Sequence, residues 1–346
     1  MRNRSNAVPA HPVSGRLGRL VALVLVCLLC VAAQAVAQSD PLPSWNDGPA
    51  KKAILAFVQA TTDTAGPDYV PPEARIATFD QDGTTWVEQP LYTQIVFALD
   101  QVRALLRQKP QLASVEPFKT VQSGDVEALA KLSDPDMGKL LAAAFTGMTV
   151  EAYADTVKAW LETARDPRWK RPYTELVYQP MLEVMQLLRA HGYKVYFVTG
   201  GDQGFVRVFA QQVYGVPPEQ VVGYAWKTRY DDDGAGRATL TREPAVLIAT
   251  DFAGKPEGIQ LMIGRRPRIA FGNSDGDRQM LEYTQSGDGA RLSLLVRHDD
   301  AGREYAYGPD SKIGTFSDAL MAEARQKGWV VISMKDDWKR VFSWEP

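Results

Sequence analysis

Four short segments of this 346-residue chain carry residue types that do chemistry. The first is Asp80-Gln81-Asp82-Gly83-Thr84, directly after the mostly apolar stretch 74–79. Two aspartates two positions apart at the exit of a strand send their side chains to the same side. Carboxylates that close repel, so the pair needs a cation beside it or a proton on one member. Gly83 allows a sharp turn, and Thr84 can hydrogen-bond within it. The second segment, Thr199-Gly200-Gly201, follows a strand pattern over 194–198 and precedes a helical one. A hydroxyl and free backbone amides at a helix start favour an anion. The third, 254–258, puts Lys255 at the mouth of another helix, where a cation opposes the macrodipole and calls for a negative partner. The fourth, Gly272-Asn273-Ser274-Asp275-Gly276-Asp277, offers more oxygen ligands after a further strand pattern.

Taken singly, each has a plain structural reading. An Asp-x-Asp-Gly is usually a surface turn, Thr199 a helix cap, Lys255 a surface charge, and Asp275 and Asp277 a turn with an N-cap. Their joint presence and order point instead to one site that handles a cation and an anion together.

Positioning such segments requires strands that end side by side. Apolar runs at 74–79, 194–198, 268–271, 293–296 and 330–332 alternate with helical patterns at 181–189, 203–214, 255–263, 277–284 and 316–327. Alternation of this kind predicts an α/β fold with a doubly wound, Rossmann-like parallel sheet, whose ligands bind beyond the carboxyl ends of the strands. A first helix is expected near 49–58, capped by Asn46 or Asp47 with Pro49 in its opening turn. From 86 to 179 the pattern is helical and strand-poor, with helices around 95–106, 137–145 and 157–161, which predicts an inserted helical domain. Stretches 221–230 and 238–242 read as a hairpin around Asp231-Asp232-Asp233-Gly234, a turn rather than a calcium site.

The N-terminus addresses the compartment. Arg2, Arg4, Arg16 and Arg19 precede an unbroken apolar run over 20–33, and Ala35-Val36-Ala37 closes it. A positive start, a short apolar run and a small-residue exit describe a cleavable secretory signal over 1–37, cut after Ala37 and followed by a secreted or periplasmic protein. The run is too short to span a bilayer. Both cysteines, Cys27 and Cys30, lie within it, so the mature chain is expected to carry no disulfide. Removing the leader leaves 35 basic against 41 acidic residues, a net charge of −6. That balance gives no general attraction to nucleic acid, and after cleavage no membrane segment is expected.

The segments Phe79-Asp80-Gln81-Asp82-Gly83-Thr84, Val198-Thr199-Gly200-Gly201, Gly254-Lys255-Pro256-Glu257-Gly258 and Gly272-Asn273-Ser274-Asp275-Gly276-Asp277 resemble the four motifs of haloacid dehalogenase superfamily phosphatases. The nearest branch is the phosphoserine-phosphatase-like group, whose cap the 86–179 insertion resembles. The resemblance implies an α/β core over 38–85 and 180–346, with 38–70 as a helical lead-in and 86–179 as the cap. It implies a magnesium-dependent phosphomonoesterase acting on a small phosphorylated substrate. Asp80 would be the nucleophile and Asp82 the acid/base partner. Thr199, Gly200 and Gly201 would hold phosphoryl oxygens, Gly83 and Thr84 would contribute to substrate binding, and Lys255 would offset charge. Magnesium would take the Asp80 carboxylate, the Asp82 carbonyl and a group from the fourth motif.

Two positions depart from that pattern. The group places an aspartate directly after the first glycine of the fourth motif, where this chain has Asn273. Asp277 is expected as the acidic metal residue with Asn273 beside it, and Asp275 competes for the role. Glu88 stands one residue short of the group's substrate-recognising glutamate, and reads either as that contact or as a solvated charge. Arg165, Arg168, Lys170 and Arg171 around Trp169 either face an anionic substrate or are solvated. Trp86 is expected to pack, and His298 to sit in a loop rather than at a second metal. A phosphotransferase or mutase using the same aspartyl phosphate, and a non-catalytic phosphate-ester-binding protein, are the competing functions.

Overall fold

The first strand, β1 (Ile76–Phe79), is only four residues long and buried throughout, as befits a central strand covered on both faces. The computed structural model in which it is seen describes residues 40–345 apart from Ala130, Asp233 and Ala235. The expected leader, its cysteines, its cleavage point and the Asp233 turn position lie outside the described residues.

Ahead of β1, helix α1 (Pro49–Thr62) buries Ile54, Phe57, Val58 and Thr61 on one face. Its N-cap is Gly48, not Asn46 or Asp47. Asn46 donates to the Asp336 carbonyl and Asp47 pairs with Lys51 one turn on, so neither side chain caps. Residues Pro72–Ala74 form a 3-10 turn, which delays the expected start of β1 by two residues.

Between β1 and the next strand the described chain forms helices and turns only. These include α2 (Thr93–Gln108), α3 (Phe118–Ser123), α4 (Val126–Leu129), α5 (Asp134–Phe145) and α6 (Val150–Thr163). Ser133 and Thr149 cap α5 and α6 through their hydroxyls. The two short helices α3 and α4 have too few turns to show a period in the sequence. Then α7 (Gln179–Ala190), β2 (Lys194–Asp202) and α8 (Gln203–Tyr214) follow, with Asp202 capping α8 through the Phe205 amide.

The hairpin of β3 (Val221–Asp232) and β4 (Ala238–Ile248) is longer than its expected second arm. The later elements include α9 (Gly254–Met262), β5 (Ile269–Gly272), α10 (Arg278–Gln285), β6 (Leu292–Arg297), α11 (Asp318–Lys327) and β7 (Val330–Ser333). The strand order is β4-β3-β2-β1-β5-β6-β7, parallel except for the antiparallel β3–β4 pair. The chain leaves β1 toward β2 and later returns on its other side with β5. The doubly wound sheet therefore has its topological switch at the β1–β5 pair, where a ligand crevice opens.

Phe97 joins the inserted helices to this frame. Its ring lies 5.4 Å from Trp160 and 5.4 Å from Phe205 of α8, with Phe145 at 5.7 Å and Tyr153 at 6.1 Å. Burying a side chain of this size contributes about 1.5–3 kcal/mol, so the cluster holds the insertion against the sheet's own helix layer. Backbone bonds between Gly147, Met148 and Arg242 tie the same insertion to β4. Residues Leu42–Pro346 accordingly form one compact unit.

Candidate active site

Lys255 occupies the centre of the site. Its Nζ donates to Asp80 Oδ1 at 2.5 Å, to Asp277 Oδ1 at 2.7 Å and to the Val198 carbonyl at 2.9 Å. One ammonium thus links the ends of β1 and β2 with the loop after β5. Three strand exits that are distant in sequence meet because parallel neighbours end at the same edge. The lysine is 2% exposed. Burial opposes its charge, but Asp277 and then Asp80 outweigh that and hold it well above the ordinary ammonium range. Asp80 is pushed up, first by burial and then by the charge of Asp277, against the pull of Lys255.

Asp82 is held by Trp86, whose indole N–H donates to Oδ1 at 2.7 Å. Burial pushes the Asp82 carboxyl up to about 6, opposed by that hydrogen bond and by Lys255. Trp86 does pack as expected, stacking on Phe209 at 4.9 Å, but it also orients this carboxylate. The sequence did contain a signal for the second role, since Trp86 lies one turn beyond Asp82.

Asp80, Asp82, Glu88, Thr199, Gly200, Gly201 and Lys255 all line one cavity of about 550 Å³. Gly83 and Thr84, expected at the substrate, lie beneath its wall instead. Gly83 has φ +74, and a Cβ there would sit 2.1 Å from Asn273 Nδ2, so only glycine fits. Thr84 is fully buried, with Oγ1 3.1 Å from Asn273 Oδ1 and 3.4 Å from Asp80 Oδ2. The Thr-Gly-Gly segment extends β2 four residues beyond its expected end, to Asp202, and α8 begins at Gln203 as expected, with Asp202 supplying the cap. The Gly201 amide is bonded to Thr199 Oγ1 at 3.0 Å.

The fourth motif divides its work differently from the expectation. Asp277 accepts from Lys255 on one oxygen and from the Asn273 and Ser274 amides on the other, which commits both oxygens within the protein. Asp275 turns away, accepting from the Ser317 hydroxyl at 2.8 Å at the start of α11. Asn273 turns inward: its Nδ2 donates to Glu88 at 2.7 Å, and its Oδ1 accepts from the Thr84 hydroxyl that also lies 3.4 Å from Asp80 Oδ2. Among the described residues no three carboxylate, histidine or cysteine side chains are grouped as a metal site. The hard oxygens at hand are the Asp80 carboxylate, the Asn273 amide oxygen and backbone carbonyls, a donor set that suits magnesium, whose charge would relieve the repulsion on Asp80.

Glu88 is not a solvated charge. It is 2% exposed, and its Oε1 accepts from Asn273 and from the Tyr307 hydroxyl at 2.6 Å. Burial pushes it up to about 8, against the opposing effects of His298 and Tyr307. Its folded value exceeds the ordinary 4.5, so the stability it supports is complete below about pH 4.5 and is lost as pH rises through about 8. Glu88→Gln stays neutral and keeps both hydrogen bonds. In metal-free buffer the melting temperature of wild type should fall by several degrees more than that of Glu88→Gln between about pH 6 and about pH 9. Equal slopes in parallel calorimetric scans would show that Glu88 ionises freely.

His298, expected in an ordinary loop, is a buried support for the first motif. Its Nε2 lies 2.7 Å from the Gly83 carbonyl, its Nδ1 lies 2.9 Å from Glu304, and its ring stacks on Tyr307 at 4.3 Å. A carbonyl only accepts, so Nε2 carries a proton. Burial opposes the imidazolium, but Glu304 and Glu88 outweigh it and raise the pKa. The basic cluster does not reach the cavity. Arg168 donates to the Glu304 carbonyl, Arg165 to the Glu162 and Ala164 carbonyls, and Arg171 pairs with Glu175.

A carboxylate pair, a lysine and a hydroxyl converging at the switch point of a doubly wound sheet define the class, an α/β enzyme. Residues 77–282, more than half of the chain, match the model of haloacid dehalogenase-like hydrolases, and the chain belongs to that family. No curated protein matches the sequence significantly. Among solved structures it is similar to a conserved protein of unknown function from Anaerococcus prevotii, at 16% identity over 80% of this chain and 88% of that one, TM-score 0.46. It is also similar to a protein of unknown function from Bordetella pertussis Tohama I, at 14% identity over 75% and 97%, TM-score 0.47. A third is a phosphoserine phosphohydrolase-like protein from Francisella tularensis, at 16% identity over 73% and 98%, TM-score 0.37.

Proposed function

We propose that this hydrolase is an exported, magnesium-dependent phosphomonoesterase of the phosphoserine-phosphatase-like kind, acting on a small phosphate ester. The observation that carries the reading is the Lys255 bridge, which holds Asp80 at the cavity wall beside Thr199. An ammonium fixed there neutralises an incoming phosphoryl group and opposes the burial that pushes the nucleophile's carboxyl up. Asp80 attacks phosphorus, the bond to the ester oxygen breaks, and Asp82 gives its proton to the departing alcohol. Asp82 then takes a proton from water as that water attacks the aspartyl phosphate, releasing phosphate and restoring Asp80. A carboxyl raised to about 6 suits a group that must both give and take a proton near neutrality. Thr199 and the neighbouring glycines orient the phosphoryl oxygens.

Asp80, Asn273 and the Asp82 carbonyl are the groups that would hold magnesium, with Asp277 anchoring Lys255 and the loop. When bound, the ion supplies charge neutralisation at the phosphoryl oxygens. Purified protein beginning at Gln38 should hydrolyse para-nitrophenyl phosphate with magnesium, lose at least about 100-fold of that rate in a chelator, and regain it on readdition. A rate indifferent to the chelator would overturn the metal dependence. A mature N-terminus at Gln38 in exported material, read by mass spectrometry, tests the leader.

A further inference from the structure

The cavity continues past the aspartates into a compartment the hydrolytic groups do not use. Ile95, Met137, Leu141 and Phe145 of the inserted helices form one wall, and Tyr224 and Trp226 of β3 form part of another. Two buried donors on these walls lack partners among the described residues. Gln94, 5% exposed, accepts from the Asp202 amide through Oε1, which leaves Nε2 without a bond. A Cβ on Gly201 would come within 2.3 Å of that Nε2, so the amide lies against the phosphoryl loop. Trp226, 8% exposed, has an indole N–H with no acceptor. A buried N–H left unpaired is costly, and an acceptor on a ligand that reaches it removes the cost.

Charge narrows the ligand further. Among the described residues lining the cavity Lys255 is the one lysine or arginine, and its three bonds go to Asp80, Asp277 and Val198. Five carboxyl groups line the same space: Asp80, Asp82, Glu88, Asp202 and Asp251. Arg242 is taken up by Asp202 and the Tyr153 ring, and burial pushes Asp251 up. A second anionic group on the substrate would enter this space with no lysine or arginine free to meet it, beside carboxyls that burial already pushes up.

We infer that the ester is the monophosphate of a neutral, ring-bearing alcohol that carries a hydrogen-bond acceptor, with its ring between the inserted helices and Tyr224–Trp226 and its acceptor on Gln94 or Trp226. The inference rests on the phosphomonoesterase reading above. It excludes esters whose alcohol bears a carboxylate or a second phosphate, O-phosphoserine among them. The volume of about 550 Å³ accommodates a phosphoryl group and a ring of this kind.

Three near-isosteric substrates test it: benzyl phosphate, para-carbamoylbenzyl phosphate and para-carboxybenzyl phosphate, with para-nitrophenyl phosphate as the general probe. For wild type, kcat/KM for the carbamoyl ester should exceed that for the carboxylate ester by at least about 50-fold and that for the plain benzyl ester by about tenfold. In Gln94→Leu or Trp226→Phe, shown folded by thermal melting, the carbamoyl-to-benzyl ratio should fall to about one. The charge comparison needs wild type only, so it decides even where a variant fails to fold. A carboxylate ester used as well as the carbamoyl ester, or an unchanged ratio in both variants, overturns the inference. Turnover of para-nitrophenyl phosphate with none of the benzyl esters accepted also overturns it and leaves the phosphatase reading standing. Loss of all four reactions with magnesium present overturns that reading instead.

Discussion

Asp80→Asn will abolish turnover without unfolding the protein. An amide cannot form the acyl phosphate, so the rate with para-nitrophenyl phosphate and magnesium should fall by at least about 10⁴-fold. Stability should hold or rise. Asp80 is a buried carboxylate pushed up by desolvation and by Asp277, and an isosteric neutral amide removes that repulsion. Lys255 keeps Asp277 and the Val198 carbonyl as partners in the variant. The two readouts therefore move independently: activity vanishes while the melting temperature does not drop. Acid-quenched wild type should carry label from a radiolabelled substrate on Asp80, and the variant none. A variant within about tenfold of the wild-type rate would remove Asp80 from the nucleophile's role.

Lys255→Met should damage activity and stability together. It leaves the carboxylates of Asp80 and Asp277 buried near one another without their ammonium. Breaking a buried pair in this way costs about 3–5 kcal/mol. Loss of the fixed positive charge at the phosphoryl site should lower kcat by about 10³-fold. A second substitution separates the effects. Asp277→Asn in the Lys255→Met background removes one uncompensated charge and should recover much of the stability, as read by urea unfolding, but none of the activity. Unfolding of Lys255→Met at the wild-type midpoint would show that the bridge does not hold the loops together.

The parts of the site visible in the sequence were those carried by short spacing. Asp80 and Asp82 stand two apart at a strand exit, Thr199 follows five strand residues, and Lys255 begins a helix; each is a local pattern with a local physical meaning. Helix and strand alternation fixed the parallel sheet for the same reason, because periods of 3.6 and 2 are written within one element. Caps were less legible: Gly48 stands in place of Asn46 or Asp47, and Asp202 rather than Thr199 caps the helix that begins at Gln203.

The division of labour in the fourth motif was not visible there. Asn273, Asp275 and Asp277 are alternating oxygens within five residues, and the one local determinant, the Ser274–Asp277 capping box, accounts for a single oxygen of Asp277. Ser317, Lys255 and Glu88 decide the rest, from 42, 22 and 185 positions away. His298 was equally hidden, since its bond to Gly83 spans 215 positions, although Glu304 six residues on offered a weak local sign of a paired imidazole.

The order of residues alone determined that β1 would deliver two carboxylates to the edge of a buried sheet, because burial and turning are properties of the chain nearby. Only tertiary structure decided which oxygens remain available around them, because hydrogen-bond partners are chosen by proximity in space. Folding turned Asp277 onto a lysine and Asn273 onto Glu88 and Thr84, and left two N–H groups buried without partners among the described residues, which no local pattern describes.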